Sequence, residues 1–251
     1  MSLSTVDVII PVLDEEQALP AVLASLQRPP LRRVIVVDNG SRDRSAQVAR
    51  AGGAVVVEEP QRGYGRACLT ALEHIASDPP EVVVFMDGDG SDDPADLERL
   101  LAPIAEHRAD LVIGSRSLGR SEAGALNLTQ RLGNWIAGWM LGLLFGHRYT
   151  DLGPFRCARY DSLRALGMCD TTWGWTVEMQ ARASRAGWIV LEVPVAYRRR
   201  RSGRSKISGD LVGAGRAAVK ILWTLGRLAL QVRRTERVNP HRPGDRGPSI
   251  P

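Results

Sequence analysis

Five short runs of aliphatic residues punctuate the first 115 positions, and the segments between them carry apolar residues at helical spacing. The runs are Val6–Val12, Arg33–Asp38, Ala54–Val57, Glu81–Asp87 and Asp110–Gly114. Helical spacing falls over Glu15–Gln27, Ser45–Ala51, Gly65–Ala76 and Pro94–His107. Buried strands that alternate with helices of about ten residues predict an α/β fold with a mostly parallel, doubly wound sheet. Such sheets take their ligands outside the C-terminal ends of the strands. Two runs end there in a carboxylate, Asp38 and Asp87.

With 251 residues, 44% of them apolar and 24% charged, the chain has the material for a large core. This excludes a disordered chain and a small disulfide-stapled module. Cys68, Cys157 and Cys169 form no C-x-x-C pair, so neither a zinc ribbon nor a disulfide framework is expected, and a reducing compartment fits. The start, Met1 to Leu13, has no basic region and is broken by Asp7, unlike a signal peptide. The net charge of +5 is uneven. Residues 1–181 carry 17 Lys and Arg against 24 Asp and Glu, net −7; residues 182–251 carry 16 against 4, net +12. A basic C-terminal quarter suggests an anionic partner: nucleic acid, a membrane surface or a phosphorylated small molecule.

Past residue 120, Thr129 to Phe145 reads as a helix, very apolar from Trp135 onward but too short there to span a bilayer. Trp188 to Tyr197 reads as a strand that runs straight into Arg198-Arg199-Arg200-Arg201-Ser202-Gly203-Arg204-Ser205-Lys206. A long helix over 209–235 has a wide apolar face and a narrow basic stripe, which suits a membrane interface, a second subunit or its own domain. Residues 236–251, rich in Pro, Arg and Gly, read as a disordered tail.

The most specific chemistry sits in Met86-Asp87-Gly88-Asp89-Gly90-Ser91-Asp92-Asp93-Pro94. Carboxylates spaced D-x-D at the end of a buried strand can share one hard divalent cation, with open positions left for phosphate. A helix cap before Pro94 explains only part of this acid cluster. Val37-Asp38-Asn39-Gly40-Ser41 offers a strand-end carboxylate for a nucleobase N–H, or an Asx turn. Gln61-Arg62-Gly63-Tyr64-Gly65-Arg66 reads as a glycine-rich phosphate loop at a helix N-terminus, where Arg62 and Arg66 meet either a diphosphate or solvent. It matches neither the dinucleotide fingerprint nor the P-loop.

In this order the motifs resemble the family-2 glycosyltransferases with a GT-A fold, and within them the polyprenyl-phosphate sugar synthases. The resemblance rests on Ile10-Pro11-Val12-Leu13-Asp14-Glu15-Glu16, Val37 to Asp43, Gly63 to Ala67, Met86 to Asp89, Gly114-Ser115-Arg116, Thr150 to Arg156, Gly174 to Met179, and Val193 to Arg198 with Gly203 to Lys206. It covers residues 5–208 and implies one GT-A domain over 1–208, with a nucleotide-sugar half to about 116 and an acceptor half beyond. By resemblance, Pro11, Leu13, Glu15 and Asp38 hold the nucleoside and Arg66 the diphosphate. Asp87, Asp89 and Ser91 hold Mg²⁺ or Mn²⁺. Arg116 and Arg131 meet the acceptor phosphate, Asp151 and Arg156 pair near it, and Arg198, Arg204 and Lys206 lie on a loop that closes over the phosphates. Asp89, Arg116 and Glu178 are the catalytic candidates.

The reaction implied is inverting transfer of a hexose from GDP-mannose or UDP-glucose to a polyprenyl phosphate. Many family members carry a Glu-Asp pair near Trp175 to Met179; here Glu178 stands alone, which favours a phosphate acceptor that needs no general base. The alternatives are the same donor chemistry on a soluble or hydroxyl acceptor, and a non-catalytic membrane-surface module. Nucleic acid is disfavoured because the basic run lacks interleaved aromatics. The setting expected is cytoplasmic, peripheral on the inner face of the plasma membrane, with pairing of two subunits through helix 209–235 left open.

Overall fold

The computed structural model describes residues 3–26, 30–126, 128–200, 220–221 and 223–229. The chain opens with strand β1 (Val6–Val12), helix α1 (Leu19–Ser25), β2 (Leu31–Asp38), α2 (Ser45–Ala51), β3 (Val55–Glu58) and α3 (Tyr64–His74). There follow β4 (Val82–Phe85), α4 (Leu97–Ala105), β5 (Leu111–Ser115) and α5 (Leu128–Phe145). The order closes with β6 (Arg156–Arg159), α6 (Tyr160–Ala165), α7 (Trp175–Arg185) and β7 (Val190–Pro194).

The strands form a seven-stranded sheet in the order β3-β2-β1-β4-β6-β5-β7. All neighbours are parallel except β6, which runs antiparallel to both β4 and β5. Alternate residues of each strand face opposite layers. Ile9, Ile35, Val37, Val83 and Phe85 pack towards α3 and α7. Val8, Ile10, Val36, Val84 and Met86 pack towards α1 and α4. Burial on both faces is what makes these strands unbroken aliphatic runs. Phe85 meets Trp175 edge to face at 6.0 Å between ring centroids, which seats α7 under the sheet.

Register fixes the active edge. Val12 stands opposite Asp38, so β1 and β2 end together, while β4 leaves the ladder at Phe85 opposite Ile9 and runs on through Met86 into Asp87 at the same edge. Helix α1 begins later than the expected Glu15. Asp14 takes a positive φ of 52°, and the carbonyl of Glu15 accepts the N–H groups of Ala18 and Leu19. Residues 13–18 are thereby a turn at the sheet edge. The expected helix from Pro94 divides into a short 3₁₀ turn, Pro94–Asp96, capped by Asp93, and then α4.

One strand escaped the periodicity. Strand β6 is four residues with an arginine at each end. Arg156 is nonetheless buried, because its guanidinium donates to the carbonyls of Gly153 and Thr176. Residues 220–221 and 223–229 are helical. They pack on their own domain: Leu225 and Leu228 are buried, and Lys220 Nζ lies 3.1 Å from Asp170. Of the environments open to helix 209–235, that is the one shown by this described part.

Candidate active site

A cavity of about 650 Å³ opens where β1, β2 and β4 end. Pro11, Leu13 and Glu15 line one wall, Asn39 and Arg62 another, and Asp87 and Asp89 the floor. Thr172, Trp173, Arg200 and Lys220 complete it. Asp38 stands at the adjoining strand end, half-buried, and its Oδ1 accepts the Ser41 N–H at 3.3 Å, which closes the turn after β2. Asn39 clips the loop that follows β3. Its amide donates to the carbonyls of Glu59 and Gln61, and its Oδ1 accepts the Gly63 N–H at 2.7 Å.

Asp87 and Asp89 lie on the floor, and the buried Asp92 is bonded to the Asp87 backbone beside them. Asp89 is 2% exposed; its Oδ1 accepts the Ser91 N–H at 2.8 Å and the Ser91 hydroxyl at 2.6 Å. Its Oδ2 has an Arg200 Nε 2.8 Å away, but the N–H is not aimed at it and the oxygen makes no hydrogen bond. Asp92 accepts the Asp87 N–H on Oδ2 at 3.1 Å, and its buried Oδ1 has no hydrogen-bond partner. Burial, then the charges of Asp89 and Asp92, raise the Asp87 carboxyl well above the usual range. Burial, joined by the charge of Asp89, pushes Asp92 up to about 7. Two buried oxygens in this crowd of carboxylates, Asp89 Oδ2 and Asp92 Oδ1, are left without a hydrogen bond. That donor set suits a hard divalent cation. Among the described residues no three acidic, His or Cys side chains converge as a ready-made cage. Ser91, expected as a third ligand, is fully buried and spends its hydroxyl on Asp89.

The glycine loop does something other than expected. A Cβ on Gly63 would lie 2.1 Å from the Thr171 carbonyl oxygen, and one on Gly65 2.0 Å from that of Asp170. The N–H groups of Gly65 and Arg66 donate to the carbonyls of Thr172 and Thr171. The N-terminus of α3 is therefore closed by backbone and is no phosphate cradle; the glycines exist for that close approach. Arg66 lies off the cavity towards Glu59, whose carboxyl is lowered first by the Thr70 hydroxyl and also by the Arg66 charge, and Arg62 lines the cavity instead.

Three more expectations are corrected. Glu178 is fully buried and occupied: it accepts the N–H groups of Cys169 and Asp170 and pairs with Arg182 at 2.9 Å. It lies outside the cavity lining, so it is a structural anchor and not a base. Asp151 pairs with Arg116, not with Arg156, which satisfies backbone carbonyls; burial pulls the Arg156 guanidinium down to about 10. Arg198 pairs with Asp93, and Arg200 takes the place facing the carboxylates. Arg204 and Lys206 lie outside the described residues. Asp92 and Arg200 are the site residues that motif reading passed over. The surplus of acids beyond a cap was the signal for the first.

Arg116 and Arg131 line a second cavity of about 820 Å³, with Arg120, Arg148, Trp135 and Thr150. Arg120, Arg131 and Arg148 form no ion pair among the described residues. Tyr197 ties the acid loop to Arg116 of the second cavity. Its backbone bridges Asp92, and its ring carries the Arg116 guanidinium 5.0 Å from the centroid. Beside the second cavity, α5 leaves Leu132, Trp135, Ile136, Trp139 and Leu143 exposed. At 100° per residue these five fall within an arc of about 100°.

Comparison with known proteins gives a consistent result. Residues 7–173 match the sequence model of glycosyl transferase family 2. An undecaprenyl-phosphate mannosyltransferase of Micrococcus luteus is 32% identical over 216 residues, 82% of this chain and 88% of the relative. A dolichyl-phosphate hexose transferase of Haloferax volcanii is 32% identical over 85% of this chain and 92% of the relative. Among solved structures, a Mycobacterium tuberculosis glucosyl-3-phosphoglycerate synthase in complex with Mn²⁺, UDP-glucose and phosphoglyceric acid superposes with a TM-score of 0.71. It shares 22% identity and covers 90% of this chain and 80% of that one, which shows the fold, the GT-A fold.

Proposed function

The chain belongs to glycosyl transferase family 2, and on that premise we propose that it moves a hexose from a nucleoside-diphosphate sugar to a polyprenyl phosphate at a membrane surface. The observation that carries the acceptor half of this reading is the second cavity. Arginines without ion-pair partners among the described residues open there directly beside an exposed apolar helix face, with Trp135 shared by both. A phosphate head suits the arginines and a hydrocarbon tail suits the face. Paired indoles on one helix face, Trp135 at 58% and Trp139 at 50% exposure, also suit the headgroup boundary of a bilayer. Among the described residues no helix is long and apolar enough to cross a membrane, so the contact proposed is peripheral. The Micrococcus and Haloferax relatives, named for polyprenyl-type phosphates, support the same acceptor class.

On the donor side, Pro11, Leu13, Glu15 and Asp38 receive the nucleoside, and Asp87 and Asp89 hold Mg²⁺ or Mn²⁺, whose charge stabilises the departing diphosphate. Arg62, Arg200 and Lys220 bring further positive charge to the same cavity. Arg116, held rigidly by Asp151, orients the acceptor phosphate. A phosphate monoester has its second pKa near 6, so it arrives as a nucleophile with no proton to remove. That agrees with a site whose one expected base, Glu178, is spent on structure. Attack from the face opposite the leaving diphosphate inverts the anomeric carbon.

The test offers the full chain labelled UDP-glucose or GDP-mannose with Mn²⁺, and either undecaprenyl phosphate in vesicles or 3-phosphoglycerate in solution. Label passing into the organic phase supports the reading. Label found only in a water-soluble product would move the acceptor to a soluble phosphate and overturn the lipid assignment.

A further inference from the structure

Residues 197 to 199 are pinned one after another. The Tyr197 N–H donates to the Arg120 carbonyl at 3.0 Å and the Arg198 N–H to that of Ser91 at 2.8 Å. The Arg198 guanidinium holds Asp93, and the Arg199 N–H donates to Glu122 at 2.8 Å. Arg200 is the next residue, and its side chain turns into the donor cavity. There Nε lies 2.8 Å from Asp89 Oδ2, and Nη1 3.4 Å from Glu15 Oε1. The guanidinium therefore stands against the one Asp89 oxygen that makes no hydrogen bond. Its poor alignment there marks a contact held by charge and not by hydrogen-bond geometry.

We propose that Arg200 is a resident counter-ion of the cation site: it occupies Asp89 in the empty protein, yields it to a divalent cation, and transfers its charge to the incoming diphosphate. The proposal rests on the reading of Asp89 as a metal-holding residue. A divalent cation that takes Asp89 Oδ2 competes with the guanidinium standing 2.8 Å from that oxygen, so metal alone binds weakly. A nucleoside diphosphate changes that balance. It gives the displaced guanidinium two phosphate groups to grip in a fork, within the cavity that it already lines. Metal and donor then bind cooperatively, and the coupling is carried by a residue beyond the segment that matches the family model.

The experiment is a calorimetric Mn²⁺ titration of the full chain with and without UDP or GDP, comparing wild type, Arg200→Ala, Arg200→Gln, Arg198→Ala and Asp89→Ala. Without nucleotide, both Arg200 variants are expected to bind Mn²⁺ about tenfold tighter than wild type, or more. With nucleotide that advantage disappears, because the variants lose the coupling. Arg198→Ala removes the same charge from Asp93 and is expected to change little. Mn²⁺ binding that is lost in Asp89→Ala but equal or weaker in the Arg200 variants would overturn the counter-ion role and leave the metal site standing. Equal tightening by Arg198→Ala would overturn it as well, by showing a general field effect. Mn²⁺ binding by none of the proteins, with or without nucleotide, would remove the metal reading and this proposal together.

Discussion

Asp151 grips Arg116 with both carboxylate oxygens: Oδ2 accepts the Arg116 N–H and Nε, each at 2.8 Å, and Oδ1 accepts Nη2 at 2.6 Å. Burial works against charging Asp151, yet the Arg116 charge and these hydrogen bonds hold its carboxyl below the usual range. Asp151→Asn leaves a buried guanidinium half-paired, which costs about 3–5 kcal/mol. Because Arg116 lines the second cavity, steady-state kinetics of the folded variant are expected to show a raised KM for acceptor and an unchanged KM for donor. A rise in donor KM alone would place the pair on the wrong substrate.

Glu178→Gln separates a structural anchor from a base. Its carboxylate holds two backbone N–H groups and Arg182, so the melting temperature should fall by several degrees. The rate per folded molecule should stay within about threefold of wild type, since removal of a general base costs about a hundredfold or more. Thermal denaturation and active-site titration on one sample read both quantities.

The metal-free protein should lose stability as pH rises towards neutrality. Asp92 carries its proton to about pH 7 when folded, but only to about pH 4 when unfolded. Between those values the folded state binds more protons, so stability falls with rising pH. Asp92→Asn should flatten the slope of melting temperature against pH from 5 to 7.5 in EDTA. A slope identical to wild type would show that Asp92 does not cause it.

Gly65→Ala puts a Cβ 2.0 Å from the Asp170 carbonyl. The loop at 170–173 must move, and Thr172 and Trp173 of that loop line the donor cavity. Overpacking of this kind costs about 1–3 kcal/mol. Nucleotide affinity measured by calorimetry should drop together with stability; undiminished affinity would show that the loop does not shape the donor pocket.

The exposed face of α5 predicts sedimentation with anionic vesicles. Trp135→Ser with Trp139→Ser should weaken that binding by at least about tenfold. The melting temperature should hardly change, because both indoles are half or more exposed. Vesicle binding that survives the double substitution would move the docking surface elsewhere on the molecule.

What could be read from the chain beforehand follows from what makes a pattern. Strands buried on both faces are unbroken aliphatic runs, so β1, β2 and β4 and the carboxylates at their ends were legible. Strand β6 was not, because Arg156 and Arg159 bound a core of only Cys157 and Ala158. Four arginines in a row do not say which one turns inward. The backbone bridge of Tyr197 to Asp92 and the Asp93–Arg198 pair decide it, and both depend on residues about 100 positions away. The same holds for Gly63 and Gly65. A glycine-rich turn before a helix looks alike whether it awaits phosphate or a neighbouring loop.

That neighbouring loop has a mechanical consequence. The Gly65 and Arg66 N–H groups are committed to Thr172 and Thr171, and β6 is hydrogen-bonded to β4 and β5 on either side. Any hinge-bending of the first 115 residues against the remainder would break ladder bonds and unseat a helix terminus together. The body is thus a single rigid anvil. Nucleotide should therefore leave hydrogen exchange in the sheet almost unchanged.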